Sequence, residues 1–104
     1  MANAVGMIEV FGLTAAFMAA DAGCKAANVT LEYFDKNKPA NADTLPVPLI
    51  VMVKFRGRVE DVRTAVLAAE KAAKKVTGVV SKHVIARPEK EIEGMLKLSA
   101  FDKN

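Results

Sequence analysis

Twice along this chain a short β-branched run ends at a glycine and gives way to an apolar repeat of three and four residues. Val5 to Phe11 reads Val-Gly-Met-Ile-Glu-Val-Phe and stops at Gly12; Leu49 to Phe55 reads Leu-Ile-Val-Met-Val-Lys-Phe and turns out through Arg56-Gly57-Arg58. Branched and aromatic residues suit a pleated surface, and glycine interrupts it. After each break the period lengthens from two towards 3.6, which marks a helix. Leu13, Ala16, Phe17, Ala20, Cys24 and Ala27 trace the first helical stripe, with Thr14, Asp21 and Lys25 off it. Val59, Val62, Val66, Ala69, Ala73 and Val76 trace the second, and lysines crowd its end as the helix dipole favours.

The remaining segments fit around these two units. Asn28 punctuates the first helix, and Val29 to Phe34 alternates as a second strand. Asp35 to Pro48 holds three of the four prolines and reads as a shaped loop, long enough to be functional or mobile. Leu49 to Phe55 is apolar on both faces until Lys54, so it is central in its sheet. Gly78 stops the second helix, and Val79 to Ala86 is a fourth strand. Pro88 opens a last short helix through Glu91, Ile92, Met95 and Leu96. The order β-α-β-β-α-β-α predicts an α+β, ferredoxin-like sandwich: one antiparallel four-stranded sheet with helices on one face. With 104 residues there is room for one core only, so residues 1–104 form one domain, with its core in 5–96 and a tail at 97–104.

Composition narrows the function classes. The chain is 52% hydrophobic but only 6% aromatic, and much of the difference is alanine. Thin alanine helices approach a sheet closely yet bury little area each, which favours completing the burial against other copies. A net charge of +3 is too mild to require nucleic acid. The single Cys24 and single His83 exclude a disulfide framework and a multi-ligand metal centre within one chain, so no metal or cofactor is expected. Cys24 lies on the first helical stripe and is expected to be buried and inert. His83 has no nucleophile placed to use it, and Glu89, Glu91 and Glu93 sit where a helix start attracts carboxylates. No enzyme is expected. No run reaches membrane-span length, and Met1-Ala2-Asn3-Ala4 lacks a secretory n-region, so the expected location is cytoplasmic.

Particular residues carry more than composition does. Gly6-Met7-Ile8-Glu9, Gly12-Leu13, Ala19-Ala20-Asp21 and Lys25-Ala26-Ala27-Asn28-Val29 resemble the first half of a bacterial microcompartment shell domain. Arg56-Gly57, the Val59-to-Val76 helix, Gly78-Val79-Val80 and His83-Val84-Ile85-Ala86-Arg87-Pro88 resemble its second half. The match runs in order from Val5 to about Leu96. The loop with Asn37-Lys38-Pro39 and Pro46-Val47-Pro48 looks most like shell proteins of glycyl-radical-enzyme microcompartments.

The resemblance implies a flat homohexamer, tiling edge to edge with itself and other shell proteins, with a central pore for metabolites of the enclosed enzymes. It implies that Lys25 lies at the ring's outer edge against its two-fold mate, oriented by Asn28, with Arg87 slotting into a pocket across that edge. At the pore the chain departs from the family pattern: the usual short Gly-Ser-Gly loop is absent, and about ten more residues stand there. Counting back from Arg56-Gly57 puts Pro46, Val47 and Pro48 at the constriction. Counting forward from Tyr33 puts Asn37 and Lys38 there. Six copies of Lys38 would make a cationic ring, whereas a Pro-Val-Pro rim would be stiff and apolar. The tail, Leu98 to Asn104, is either frayed or a dock for an enclosed enzyme. The alternative function is a small trimeric metabolite sensor of ferredoxin-like fold, which lacks its glycine-rich phosphate cradle here. A single-strand nucleic-acid binder would need aromatics projecting from the central strands, and only Phe55 is available.

Overall fold

The computed structural model describes residues 4–37, 40–44 and 49–97. The chain runs β1 (Ala4–Phe11), α1 (Leu13–Ala26), β2 (Val29–Leu31), β3 (Asp35–Asn37), β4 (Ile50–Gly57), α2 (Val59–Lys74), β5 (Val79–Ile85) and α3 (Lys90–Leu96). One antiparallel sheet takes the order β2-β4-β1-β5, with β3 also paired to β4. The expected α+β, ferredoxin-like sandwich is therefore present, with β1 and β4 central. At the first strand-to-helix turn Gly12 takes φ 89°, a conformation open to glycine, and its N–H donates to the Leu49 carbonyl at 2.8 Å.

The edge beside β4 differs from expectation. Val29 to Phe34 is not one strand: β2 ends at Leu31, and pairing resumes at Asp35–Asn37, inside the segment read as loop. Leu31 opposes Phe55, but Asp35 opposes Met52, so the interval holds one extra residue on the edge side. This is a bulge, held by the Glu32 N–H donating to the Lys54 carbonyl at 2.7 Å. Arg56 and Gly57 belong to β4 rather than to a turn, because both still pair with β1 and β2. The last helix begins at Lys90, two residues beyond Pro88.

Side-chain alternation sorts the sheet into two faces. Ile8, Val10, Val51, Val53 and Phe55 point to one face and are fully buried with alanines of both helices. On this face α1 covers the β2–β4 half and α2 the β1–β5 half. The face of α1 that enters the core is Ala15, Ala16, Ala19, Ala20 and Gly23; it keeps Ala16 and Ala20 of the stripe read from the sequence, with Ala27 packed partly against it, and leaves out the stripe's bulkier members. Leu13, Phe17 and Cys24 are exposed. The cause is space: a Cβ on Gly23 would stand 2.4 Å from the Phe55 ring and 3.1 Å from the Ala65 carbonyl. Contact this close admits only the smallest residues, so the bulkier apolar ones turn outward.

The expectation that all helices share one face is also corrected. Lys54 and Arg56 alternate with Val53 and Phe55 and so point to the other face, where both grip α3: Lys54 Nζ donates to the Leu96 carbonyl at 2.8 Å, and Arg56 pairs with Glu93. Val5, the register partner of Arg56, is fully buried on that same face.

Candidate functional site

The sheet register divides the functional candidates between two ends of the domain. Ala4, Gly57, Val29 and Ile85 lie at one end. Lys25 and Asn28, which lead into β2, and Arg87, which follows β5, stand at that end. All three are exposed. A Cβ on Gly57 would lie 3.1 Å from the Asn28 carbonyl oxygen, so the link from α1 to β2 sits directly on the end of β4. The side chains of Asn28 and Arg87 have no hydrogen-bond or ion-pair partner among the described residues. Lys25 reaches back one turn to Asp21 at 2.8 Å, and that hydrogen bond raises its pKa above the ordinary lysine value. An exposed pair of this kind is weak and screened, leaving the ammonium free to exchange partners.

The other end of the sheet is marked by Phe11, Ile50, Asn37 and Val79. Asn37 ends β3 there and is exposed. Lys38, Pro46, Val47 and Pro48, the remaining loop candidates, lie outside the described residues, as does the tail from Leu98. The expected edge residues and Asn37 are thus separated by the length of the central strands.

Close to the end that carries Lys25, Asn28 and Arg87, on the sheet face away from α1 and α2, sits a polar cluster that the sequence reading missed. Arg56 projects from β4, its Nε donating to Glu32 Oε2 at 2.5 Å while Nη1 reaches Glu93 Oε2 at 3.2 Å and Nη2 reaches Glu93 Oε1. Burial works against the guanidinium, but Glu93 and Glu32 outweigh it and hold its pKa up. Arg56 in turn holds the Glu93 carboxyl below its ordinary value. Beside it Lys54 is only 2% exposed, and burial pushes its pKa down despite the nearby Asp35 and Glu32. Glu93 is thus a clamp partner rather than only a helix-start carboxylate; a lone charged position within an apolar strand, as at Lys54 and Arg56, was the available signal.

Cys24 corrects a further expectation. It is exposed rather than buried, since it lies outside the alanine–glycine face of α1. Its thiol is nonetheless pushed up in pKa, first by partial desolvation and then by Asp21, which works against a reactive thiolate. On the flank of α2 and β5 a groove of about 320 Å³ is lined by Val66, Leu67 and Val84, with Arg63, Lys82 and His83 around it. Glu70 accepts from Lys82 at 2.7 Å and pairs with Lys74 at 3.2 Å, fastening β5 to α2.

Comparison with known proteins identifies the family of this α+β domain. The BMC domain model matches residues 4–88, and the chain belongs to that family of bacterial microcompartment shell proteins. It is 41% identical over 100 residues to carboxysome shell protein CcmK1 of Thermosynechococcus vestitus, covering 94% of this chain and 80% of that one. It is 41% identical over 94 residues to bacterial microcompartment shell protein PduA of Salmonella typhimurium, covering 90% of each. A microcompartment protein of Desulfitobacterium hafniense shares the fold with a TM-score of 0.70 at 24% identity. That match covers 93% of this chain but 48% of the other, so this chain spans about half its length. The named relatives are shell proteins rather than enzymes, and a structural shell role follows for this chain.

Proposed function

We propose that this chain is a tile of a cytoplasmic microcompartment shell: six copies close into a ring around a pore, and rings join edge to edge with themselves and with other shell proteins. What supports the reading is the sheet register, in which Lys25, Asn28 and Arg87 share one end of the domain and the loop after Asn37 leaves from the other. A wedge with its loop towards the axis has these three at its rim, where a lysine stem can cover apolar surface while its ammonium reaches carbonyls of the neighbouring ring. The pore passes small metabolites of the enclosed enzymes, and its lip is drawn from Asn37, Lys38, Pro46, Val47 and Pro48. The glycyl-radical-enzyme compartment is the proposed setting, on the likeness of this loop.

Electron microscopy of purified protein tests the tiling. Wild-type protein forms extended sheets, whereas Lys25→Ala and Arg87→Ala leave separate rings of unchanged mass. Sheets that persist in both variants would overturn the edge assignment. At the pore, Lys38→Ala alters anion passage if the lip is a cationic ring and leaves it unchanged if the lip is Pro-Val-Pro.

A further inference from the structure

Arg87 stands in a short link, Ala86-Arg87-Pro88-Glu89, between the end of β5 and the start of α3. Both ends of that link lead back to one side chain. On the β5 side Ile85 opposes Val5, and Val5 opposes Arg56 across β1. On the α3 side Glu93, in the first turn of the helix, accepts from Nη1 and Nη2 of Arg56. Residues 85–93 therefore form a loop that the sheet register closes at one end and the Arg56–Glu93 fork closes at the other. Arg87 lies inside it.

The loop depends on that closure. α3 has seven residues, none of them buried, and a Cβ on its Gly94 would meet nothing within 4 Å. So short a helix is marginal in water by itself and takes its place from what grips it. Lys54 holds the far end, donating to the Leu96 carbonyl at 2.8 Å, while Arg56 holds the first turn, next to the link. Pro88 stiffens the link, and the Ile92 N–H donates to the Glu89 carbonyl at 3.1 Å, so a shift of the first turn carries Arg87 with it. The Arg56 side chain is only 13% exposed, whereas Arg87 is exposed. Glu32 accepts from Arg56 Nε at 2.5 Å and turns both Nη groups towards α3, as a planar fork allows. We infer that Arg56 is a positioning residue for the shell edge: its fork on Glu93 closes the 85–93 loop and fixes the place from which Arg87 reaches the neighbouring ring. The inference rests on the edge role proposed for Arg87 and adds the residue that aims it.

Four variants compared with wild type test it: Arg87→Ala, Glu93→Gln, Arg56→Lys and Lys54→Met. Each is expected to keep the wild-type circular dichroism and the ring mass of about 66 kDa. The Glu93 side chain is 35% exposed, so Glu93→Gln carries the test if Arg56→Lys does not fold. The readout is the protein concentration at which sheets appear in electron microscopy. Arg87→Ala is expected to abolish sheets, and Glu93→Gln and Arg56→Lys to raise the threshold several-fold, with faster amide exchange in residues 86–93. Lys54→Met frees only the far end of α3 and is expected to assemble as wild type does. Clamp variants that assemble like wild type, beside an Arg87→Ala that does not, overturn the positioning role alone. A threshold raised as much by Lys54→Met overturns it too, since docking of α3 as a whole would then be what counts. Sheets that persist in Arg87→Ala overturn the edge reading itself.

Discussion

Arg56 and Glu93 meet fork to fork across the sheet face that the main helices leave open, and the same guanidinium reaches Glu32. One side chain of a central strand therefore ties down both the edge bulge and the last helix. Among the described residues of α3 none is buried, and Met95 is 70% exposed. Polar attachment thus carries an unusual share of this helix's docking.

Removing the clamp loosens α3 before the core. Arg56→Ala is expected to cost roughly 1–3 kcal/mol, because hydrogen bonds to charged groups are lost and Glu32 is left with only Lys54 nearby. Arg56→Lys recovers only part, since an ammonium cannot reproduce the planar fork. Urea midpoints report the loss, and amide exchange in residues 90–97 accelerates while that of β1 and β4 changes less. Unchanged exchange in α3 would show that it is held by something else.

Acid acts on the same clamp. Arg56 depresses Glu93, and Lys82 and Lys74 depress Glu70, each below the ordinary 4.5. A carboxylate with a lowered folded pKa stabilises above its unfolded value, and that stabilisation is lost as pH falls through the folded value. Stability therefore declines below about pH 4.5, and Glu93→Gln flattens part of that decline. The acid limb of a pH series of urea melts shows whether it does.

Lys54 gives the same sign of slope at the alkaline end, for a different reason. Its pKa is lowered from 10.5 by burial, so the unfolded chain binds more protons between the lowered value and 10.5. Its contribution makes stability rise with pH across that window. Lys54→Met keeps the stem's volume and removes this rise, whereas Lys54→Ala leaves a cavity and costs about 2–4 kcal/mol. A rise that survives in Lys54→Met would assign it to another group.

Glycines at close contacts behave differently from a glycine in open space. Gly23→Ala drives a methyl into the Phe55 ring, and a Cβ on Gly6 would stand 2.5 Å from Val62 Cγ1. Each is expected to cost about 1–3 kcal/mol by overpacking. Gly94 in α3 has nothing within 4 Å, so Gly94→Ala should gain about 0.5–1 kcal/mol through helix propensity. Thermal midpoints that move the same way for all three would contradict this packing.

The fold was legible because strand and helix periods change at Gly12 and after Gly57, and the second helical stripe is nearly the one buried. The first was misread because hydrophobicity alone does not say which apolar residues the core has room for. On α1 contact with Phe55 and Ala65 selects alanine and glycine, and Phe17 and Cys24 are displaced outward. The bulge at Glu32–Phe34 left no local signal, since it depends on pairing with β4. The clamp was equally hidden: Glu32, Arg56 and Glu93 are distant in sequence and meet only once the topology is set. Lys25, Asn28 and Arg87 became candidates through resemblance, and only the register shows that they share one end of the domain.

The central claim is that this chain is built to tile, and its molar mass in solution tests that most directly. Size-exclusion chromatography with light scattering should give about 66 kDa, six times the 11.1 kDa chain, as a closed ring requires. A trimer would shift weight to a metabolite sensor. A monomer that persists across a wide concentration range would contradict the account.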